Sequence, residues 1–422
     1  MRVHISLVFL LFIVCAMCGV HAYAKQQAQG VMNGSPIEDL KSHGIRHVSS
    51  YALFSLPVLT ADSNDYYFGE KMLPHEPDYR CDDKGVPIYI NKSSGEPSTH
   101  PVSMTYRGGK CIYAYTVAIN DPERDEYLKR AGAIGESLLE IAIEKDGALL
   151  FPYGFDLRTH KAPWFSGLAQ GQALSLFVNL FNLTGKKRYR DAADKIFTSF
   201  FFFYPESYDE RKPWISYVDE NGYYWIEEYP RKNPQHVLNG FQYAVLGLYQ
   251  YWMLSKTPES EFLIRASLAT ISEHAEKYRH PGSISRKRLL YNLESKTYNY
   301  HLVHILLLRK LYDICGDPNL YRVAHLFELD RIAYKKAGRL QVEIQPTEAE
   351  EAGGRWRRVG TKQWFKSGYV EWGIADGDHE IEFKTAHPKS KWKRPSNQKI
   401  RIKMGMNAEA AGVYNRKMPP SD

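Results

Sequence analysis

The chain has 422 residues, with 55 Lys and Arg against 48 Asp and Glu and a formal net charge of +7 at pH 7. This length allows more than one domain, and so modest a positive excess is compatible with a polyanionic ligand without indicating one. Beyond residue 24 the sequence lacks Cys-x-x-Cys, His-Glu-x-x-His, Gly-x-Gly-x-x-Gly and P-loop patterns, which argues against a zinc site and against a nucleotide cofactor. We therefore predict no metal and no cofactor.

The first 24 residues have the pattern of an export signal. Arg2 precedes an apolar run from Ile5 to Val20, and Ala22 and Ala24 supply the small residues that a signal peptidase reads. We expect cleavage after Ala24 and a secreted or periplasmic protein. The run is shorter than the roughly 20 apolar residues of a spanning helix, and no later stretch is long and apolar enough to span, so no integral membrane span is predicted after cleavage. An uncleaved anchor is the alternative.

Three cysteines remain after the signal, namely Cys81, Cys111 and Cys315. In an oxidising compartment an odd number allows at most one intramolecular bridge. Cys81 and Cys111 are the expected pair, because both lie in the same N-terminal region.

Residues 25–118 are predicted to be an irregular, β-rich region. They show little helical periodicity, and short apolar or alternating runs such as Val86–Ile90 are the main signal. Prolines punctuate these runs at Pro57, Pro74, Pro77, Pro87, Pro97 and Pro101.

Helical signals recur from residue 119 to 335. Amphipathic helices are expected to start at Asp121, Gly185, Thr257 and Asp317. The first of them is expected to close at Gly147. More apolar helices are expected around 167–184, 235–255 and 298–314. Alternating helices with long loops favour an α/α toroid, in which inner helices line a barrel, and a plain helical bundle is the alternative.

The pattern changes again after Lys336. Short alternating runs separated by Gly- and Pro-bearing turns, beginning with Leu340–Ile344, predict a small β-sandwich accessory module over residues 338–406. Residues 407–422 lack periodicity and are predicted to be a loose tail. The fold class expected is thus mainly α, an α/α toroid preceded by an irregular β region and followed by a β-sandwich module.

Four blocks of this sequence, taken together, resemble the C-terminal domain of the D-glucuronyl C5-epimerases, which convert D-glucuronate units of a polysaccharide into L-iduronate. The blocks are Trp164–Ala173, Glu227–Pro230, Val237–Phe241 and Tyr300–His304. The resemblance covers roughly residues 150 to 330. It implies an acidic polysaccharide as partner and gives no reason to expect nucleic acid, and it leaves a homodimer open.

Epimerisation at C5 removes a proton beside a carboxylate and returns one to the opposite face, so the chemistry needs two proton-transfer groups and a neutralised carboxylate. The resemblance implies catalytic roles for Glu228, Tyr229 and Tyr300. Glu228 lies in a stretch crowded with aromatic residues, where partial desolvation suits a carboxylate to acid-base work. We assign Tyr300 to one face of the sugar and Glu228, alone or through Tyr229, to the other.

A tyrosine that acts as a base needs a nearby cation, and His301, Arg288 and Lys296 are candidates. Arg288 is also expected to clamp the substrate carboxylate, since a guanidinium matches a carboxylate in two hydrogen bonds. Ser285 stands where the family has a functional tyrosine, for which Tyr291 or Tyr298 could substitute. His301 and His304 could together bind a metal, but no third ligand is evident.

Further substrate contacts are expected from residues around the cleft. The set of substrate-binding candidates comprises Arg288, His301, Gln170, Asn239, Trp164 and Tyr106. Trp164 begins a floor in which Gly167, Ala169 and Gly171 let a helix approach its neighbours, and packing alone would also explain these small residues.

Two other hypotheses of function remain open. A uronate lyase would abstract the same C5 proton and then expel the C4 substituent, so the same residues could serve it. A catalytically inactive carbohydrate-binding or polymer-export protein is the second alternative, to which the Ser285 departure lends support.

Overall fold

The computed structural model describes residues 36–56, 81–91, 93–157, 160–209, 212–289, 298–387 and 390–417. The predicted signal, residues 1–24, lies outside them. The described residues up to His236 form one compact unit together with Gly240–Ile271, and Val237–Asn239 form a second unit with the described residues from Ser272 onward. Within the described part of the chain, no helix has the length and apolar character needed to cross a membrane.

The protein is mainly helical. The described α-helices are α1 (Pro36–Ser42), α2 (Pro101–Val117), α3 (Asp121–Ile141), α4 (Gly167–Thr184), α5 (Lys187–Thr198), α6 (Leu238–Ser255), α7 (Pro258–His274), α8 (Tyr298–Cys315), α9 (Pro318–Lys336) and α10 (Thr347–Glu351). The described strands are β1 (Tyr89–Ile90), β2 (Pro97–Ser98), β3 (Ile143–Lys145), β4 (Ala148–Leu150), β5 (Ser216–Val218), β6 (Tyr224–Ile226), β7 (Gly338–Gln345), β8 (Arg355–Arg358), β9 (Val370–Ile374), β10 (Gly377–Lys384), β11 (Trp392–Lys393), β12 (Gln398–Ile402), β13 (Asn407–Val413) and β14 (Asn415–Arg416).

The helices between residues 119 and 335 lie where the sequence predicted them, because their ends carry local signals. Asn120 caps α3 by accepting a hydrogen bond from the backbone N–H of Glu123 at 3.0 Å. Asp317 caps α9 in the same way, with its carboxylate 2.9 Å from the N–H of Asn319. Gly185 ends α4 in the left-handed conformation, with φ of 66°, so α5 starts two residues later than expected.

The prediction of an irregular β region up to residue 118 is wrong for α2. This helix begins at Pro101 and is capped by His100, whose Nδ1 accepts from the N–H of Ser103 at 3.1 Å. The Gly108–Gly109 pair weakens helical periodicity in the sequence, but Gly108 is needed for packing. A β-carbon there would lie 2.7 Å from Cδ2 of Leu176 on α4.

Gly147 does not end a helix as predicted. Helix α3 stops at Ile141, and β3 and β4 then form an antiparallel hairpin. Asp146 and Gly147 form its turn, with φ of 48° and 77°. Two consecutive positive φ values are what a tight two-residue hairpin turn requires, and an Asp-Gly pair supplies them at low cost.

Small residues bring α4 and α6 close together in the first unit, as the sequence predicted for the block around Gly171. A β-carbon at Gly171 would lie 2.9 Å from Cβ of Ala244, and one at Gly247 would lie 2.7 Å from the carbonyl carbon of Gly171. Gly167 is equally confined, since its β-carbon would lie 2.7 Å from the carbonyl oxygen of Glu227. Side chains at these positions would push the two helices, or the loop at Glu227, apart.

The C-terminal part of the second unit contains two three-stranded sheets. Their strand orders are β13-β7-β9 and β12-β10-β8, and all neighbours are antiparallel except β13 and β7. Alternate residues of β7 and β10 point inward, and both strands contribute to one hydrophobic cluster. The buried members from these strands are Leu340, Val342, Ile344, Ile381 and Phe383.

The predicted loose tail after residue 406 is also wrong. Strand β13 runs parallel to β7, from Asn407 opposite Arg339 to Val413 opposite Gln345. Its inward positions carry the small residues Ala408, Ala410 and Gly412, so the strand has little apolar contrast between its two faces. A β-carbon at Gly412 would lie 2.7 Å from Cδ1 of Phe383, which explains why the inward residues are small.

The cysteine pairing expected from the sequence is not present. Cys81, Cys111 and Cys315 are all free thiols. Burial raises the pKa of Cys111 and that of Cys315 to about 11, so both thiols remain protonated near neutral pH.

Candidate functional site

The residues predicted to carry the chemistry occur in both units. Glu228, Tyr229, Trp164, Gln170 and Tyr106 belong to the first unit. Tyr300, Arg288, His301 and Asn239 belong to the second. Each group has its own local framework.

Glu227 is the residue that fixes the acidic loop of the first unit. It follows β6 directly and is fully buried. Its carboxylate accepts backbone N–H bonds from Gln235 at 2.9 Å and from His236 at 3.0 Å, and Nδ1 of His236 donates to it at 2.7 Å. The His236 ring also stacks on Trp225, with centroids 3.9 Å apart. Glu227 therefore closes the loop that contains Glu228.

We expect Glu227→Gln to lower the free energy of unfolding by about 2 kcal/mol, because the new amide would place an NH₂ group opposite N–H donors in a buried site. Urea unfolding followed by tryptophan fluorescence would measure the loss. The matched control is Glu220→Gln, which changes an exposed carboxylate in the same hairpin region. Equal stability of the two variants would contradict the assigned role.

Glu228 lies against the first turn of α6. Only 5% of its surface is exposed. A β-carbon at Gly240 would lie 2.7 Å from Cβ of Glu228 and closer still to its Oε2, so glycine is required at this position of the helix. The N-terminal turn of a helix is a favourable location for a carboxylate, since the free N–H groups point toward it. Glu228 is therefore a buried carboxylate, and its catalytic role stays a prediction.

Aromatic rings surround this acidic loop. Tyr153 stacks on Trp164 with centroids 3.8 Å apart, and Tyr229 lies 6.2 Å from Trp164 and 6.1 Å from His160. Burial raises the pKa of Tyr153, and the negative charge of Glu228 raises it further, so the phenol stays protonated beside the carboxylate. Burial, assisted by the positive charge of Arg231, lowers the pKa of His160. Aromatic side chains of the first unit therefore form most of the surroundings of Glu228.

Three of the predicted contact residues have structural partners. Gln170 is fully buried, donates to the carbonyl of Leu149 at 2.8 Å and to Ser199 Oγ at 2.9 Å, and accepts from the N–H of Phe151. Gln170 therefore connects α4 to the backbone of Leu149 and Phe151 and to Ser199, and these bonds use both ends of its amide, so it is not available to a sugar hydroxyl. Trp164 donates its indole N–H to the carbonyl of Phe155 at 2.8 Å. The ring of Tyr106 lies 4.8 Å from Nζ of Lys110.

Asn239 remains a candidate for substrate contact. It stands in the first turn of α6 with 4% of its surface exposed. Within the described part of the chain, its Oδ1 has no hydrogen-bond partner. A buried amide oxygen without a partner is costly, so a ligand hydroxyl or a water would satisfy it.

In the second unit, Lys287 is the cation beside Tyr300. Its Nζ lies 3.3 Å from the Tyr300 hydroxyl and 4.3 Å from the centroid of the ring, and only 6% of the lysine surface is exposed. Sequence reasoning named His301, Arg288 and Lys296 for this role and missed Lys287. The Ser-Arg-Lys-Arg run contains three cations, and sequence alone could not tell which of them faces the helix. Lys296 lies outside the described residues.

His301 and His304 are held by Ser285. His301 Nδ1 accepts from the N–H of Ser285 at 2.9 Å, so its proton is on Nε2, which donates to the carbonyl of Phe327 at 2.9 Å. Both nitrogens are therefore used, and the ring is fully buried. Ser285 Oγ lies 2.8 Å from Nδ1 of His304. His301 thus fixes the start of α8 instead of meeting a substrate in this structure.

Acidification below about pH 6.5 is expected to destabilise the protein. Burial holds the pKa of His304 well below its usual 6.5, and burial also lowers the pKa of His301 and brings that of His100 to about 4. Below pH 6.5 the unfolded chain binds protons that these native rings do not. The free energy of unfolding therefore falls as the pH drops from 6.5 toward 4, by up to about 1.4 kcal/mol per pH unit for each histidine.

Urea unfolding at several pH values between 7.5 and 5 would measure this dependence. His100→Asn keeps an acceptor at the helix cap but removes one titrating ring, so the slope should become shallower. His325→Asn, a change at an exposed position of α9, is the control and should leave the slope unchanged. A stability that is flat over this range would contradict the assignment of neutral buried rings.

Arg288 lies next to Lys287 on a segment that pairs with the start of α6. An isolated bridge joins Arg288 and Val237, and the N–H of Leu238 donates to the carbonyl of Lys287 at 3.1 Å. The arginine side chain is half-buried. Among the residues that the structure describes, no group of three or more His, Cys, Asp and Glu side chains is arranged to hold a metal ion.

Comparison with known proteins agrees with the resemblance of the four blocks. Residues 145–328 match the sequence profile of the family described as D-glucuronyl C5-epimerase C-terminus. A D-glucuronyl C5-epimerase of Caenorhabditis elegans is 28% identical over 181 residues, which are 38% of this chain but only 28% of the worm protein. An uncharacterized protein of Methanocaldococcus jannaschii is 25% identical over 230 residues, 51% of this chain and 72% of that protein.

Among solved structures, cellobiose 2-epimerase from Bacillus thermoamylovorans aligns with a TM-score of 0.45 and 9% identity, over 75% of this chain and 88% of its own.

Proposed function

We propose that the protein converts D-glucuronate to L-iduronate within an acidic polysaccharide, on the premise that residues 145–328 match the family described as D-glucuronyl C5-epimerase C-terminus. The family supports a carbohydrate epimerase as the class of activity. The polymeric uronate substrate, the export of the chain through residues 1–24 and the α/α toroid are parts of the proposal. The observation that carries it is the pairing of Tyr300 with the buried Lys287.

The reaction breaks the C5–H bond and leaves its electron pair to be delocalised into the adjacent carboxyl group. Tyr300 exchanges a proton with one face of C5, and Glu228, alone or through Tyr229, exchanges a proton with the other. When the base on one side takes the proton, the acid on the opposite side supplies one, and a new C5–H bond forms with inverted configuration. Exchange of the two groups with solvent restores their starting protonation.

The support for Tyr300 lies in its hydrogen-bond partner. The Lys287 ammonium, 3.3 Å from the hydroxyl, can donate to the oxygen when the phenolate forms and opposes its negative charge. In so buried a position that attraction is screened less than it would be in water. An apolar side chain at position 287 would leave the phenolate without this donor.

The support for Glu228 lies in its fixed position. Glu227 closes the loop, Gly240 admits the carboxylate to the first turn of α6, and only 5% of the surface of Glu228 is exposed. A proton-transfer group must be held in place to within a fraction of an ångström to be effective. Arg288 is proposed to neutralise the substrate carboxylate, which lowers the cost of the carbanion.

Deuterium exchange provides the test. The protein is incubated in deuterated water with unsulfated and with N-sulfated glucuronate–glucosamine polymers, and the C5 hydrogen is followed by NMR. The expected result is deuterium at C5, appearance of iduronate and an intact chain. An unsaturated product that absorbs in the ultraviolet would instead identify a lyase. Binding without any C5 exchange on either polymer would overturn the enzymatic proposal and favour a carbohydrate-binding protein.

A further inference from the structure

The net positive charge of this chain comes mostly from its C-terminal module. Residues 338–417 contain 16 Lys and Arg against 10 Asp and Glu, and the remainder of the chain contains 39 against 38. Almost the whole excess therefore resides in this module, and the family-matched segment at 145–328 does not account for it. Such an asymmetry indicates a separate anionic partner for the module.

Within the module, eight of the 16 cations occur in a stretch without acids. The 26 residues from Phe383 to Ala408 contain eight Lys and Arg and no Asp or Glu. A charge run in a β structure is usually a solvated face with acidic residues on the neighbouring strands. The pairing of the strands shows whether acidic residues lie beside the cations of this module.

Strands β11 and β14 bring three cations of this stretch together with Arg416 and Lys417. They pair antiparallel, with Trp392 opposite Arg416 and Lys393 opposite Asn415, and the N–H of Lys417 donates to the carbonyl of Lys391 at 2.8 Å. We call this group, residues 391–394 and 415–417, the cationic ribbon. Its five charged members, all exposed, are Lys391, Lys393, Arg394, Arg416 and Lys417.

The described ion pairs of the module involve residues other than Lys391, Lys393 and Arg416. Elsewhere in the module, Arg357 pairs with Glu382 at 2.7 Å and Arg358 pairs with Glu371 at 2.7 Å. Within the described residues, Lys391, Lys393 and Arg416 have no carboxylate at ion-pair distance. Like charges gathered on adjacent strands repel one another and reduce stability, so the arrangement favours an anionic partner.

We propose that the cationic ribbon binds an anionic polysaccharide, the same class of polymer on which the catalytic residues act. This identification of the polymer rests on the proposed function. Single-stranded nucleic acid is disfavoured, because such sites stack bases on exposed aromatic rings and Trp392, the aromatic residue within the ribbon, is buried. Binding at the ribbon would retain the polymer near the enzyme and raise its effective concentration.

The test compares two triple variants of the full chain. Lys391→Gln, Lys393→Gln and Arg416→Gln remove three ribbon charges, and Lys129→Gln, Lys145→Gln and Lys186→Gln remove three exposed charges from the first unit. Binding to an unsulfated glucuronate–N-acetylglucosamine polymer is measured by calorimetry at several salt concentrations. The ribbon variant should bind at least 10-fold more weakly with a shallower salt dependence, and the control variant should bind as the unmodified protein does.

Two further ligands separate the outcomes. The carboxyl-reduced polymer should not bind, and a single-stranded oligonucleotide should bind more weakly than the polysaccharide. Equal losses in both triple variants, or tighter binding of the oligonucleotide, would overturn the inference. C5 exchange is measured separately. Ribbon-dependent binding without exchange would therefore contradict the proposed function but not the polymer-binding role of the ribbon. Exchange with unchanged binding in the ribbon variant would contradict the polymer-binding role of the ribbon but not the proposed function.

Discussion

Tyr300→Phe is expected to reduce C5 deuterium exchange by about 10²- to 10⁴-fold, the usual contribution of a positioned proton-transfer group. The change removes one hydroxyl and keeps the ring that lies 4.3 Å from Nζ of Lys287. Since the hydroxyl lies on a half-buried side chain, its loss should change the free energy of unfolding by less than about 1 kcal/mol. A large kinetic effect with little effect on stability would identify a chemical role.

Lys287→Met tests the same pair from the other side. It keeps an apolar chain of similar length and removes the ammonium, so exchange should also fall by at least 10-fold. Tyr321→Phe is the matched control, because Tyr321 is an exposed tyrosine on α9. If Tyr300→Phe retained exchange within about threefold of the unmodified protein, the assignment of Tyr300 as a proton-transfer residue would have to be abandoned.

Gly240→Ala should have the second large effect, because a single methyl group would enter the space of Glu228. The added carbon would lie 2.7 Å from Cβ of Glu228, and neither side can yield easily. Gly240 belongs to a helix, and the loop at Glu228 is closed by the bonds of Glu227 to Gln235 and His236. Overpacking of this kind costs about 1–3 kcal/mol, and a displacement of about 1 Å in the carboxylate could reduce exchange 100-fold.

Gly109→Ala is the matched control for this change. Gly109 lies inside helix α2, and a β-carbon there would meet nothing within 4 Å. The same substitution should therefore stabilise the protein by about 0.5–1 kcal/mol, since alanine has the better helix propensity. Thermal unfolding and C5 exchange would be measured for both variants. A Gly240→Ala protein with normal stability and normal exchange would show that Glu228 does not need its present location.

The helices could be read from the sequence because their signals are local. Prolines at the first turns, polar caps such as Asn120 and Asp317, and the left-handed Gly185 act over three or four residues. Helix α2 and strand β13 were missed for a common reason. Gly108 and Gly412 are explained by side chains far away in sequence, Leu176 and Phe383, which no local window contains.

The roles of individual site residues were harder to predict than the helices. Gln170 was expected to contact sugar, yet its partners Leu149 and Ser199 are 21 and 29 residues away. His301 was expected to bind substrate, yet it bonds to Ser285 and Phe327, 16 and 26 residues away. The sequence pattern around a polar side chain does not indicate whether its hydrogen-bond partner is a ligand or a distant backbone group.

The sequence by itself determined the resemblance of residues 150 to 330 to the C5-epimerase family, the order of the helices and the aromatic surroundings of the acidic loop, because short motifs and neighbouring residue types encode them. The tertiary structure alone decided which of two adjacent glutamates is structural and which lysine meets Tyr300. It also decided that, within the described residues, Lys391, Lys393 and Arg416 have no carboxylate at ion-pair distance. Hydrogen bonds and ion pairs depend on distances of about 3 Å between atoms, and only folding brings residues remote in sequence to such distances.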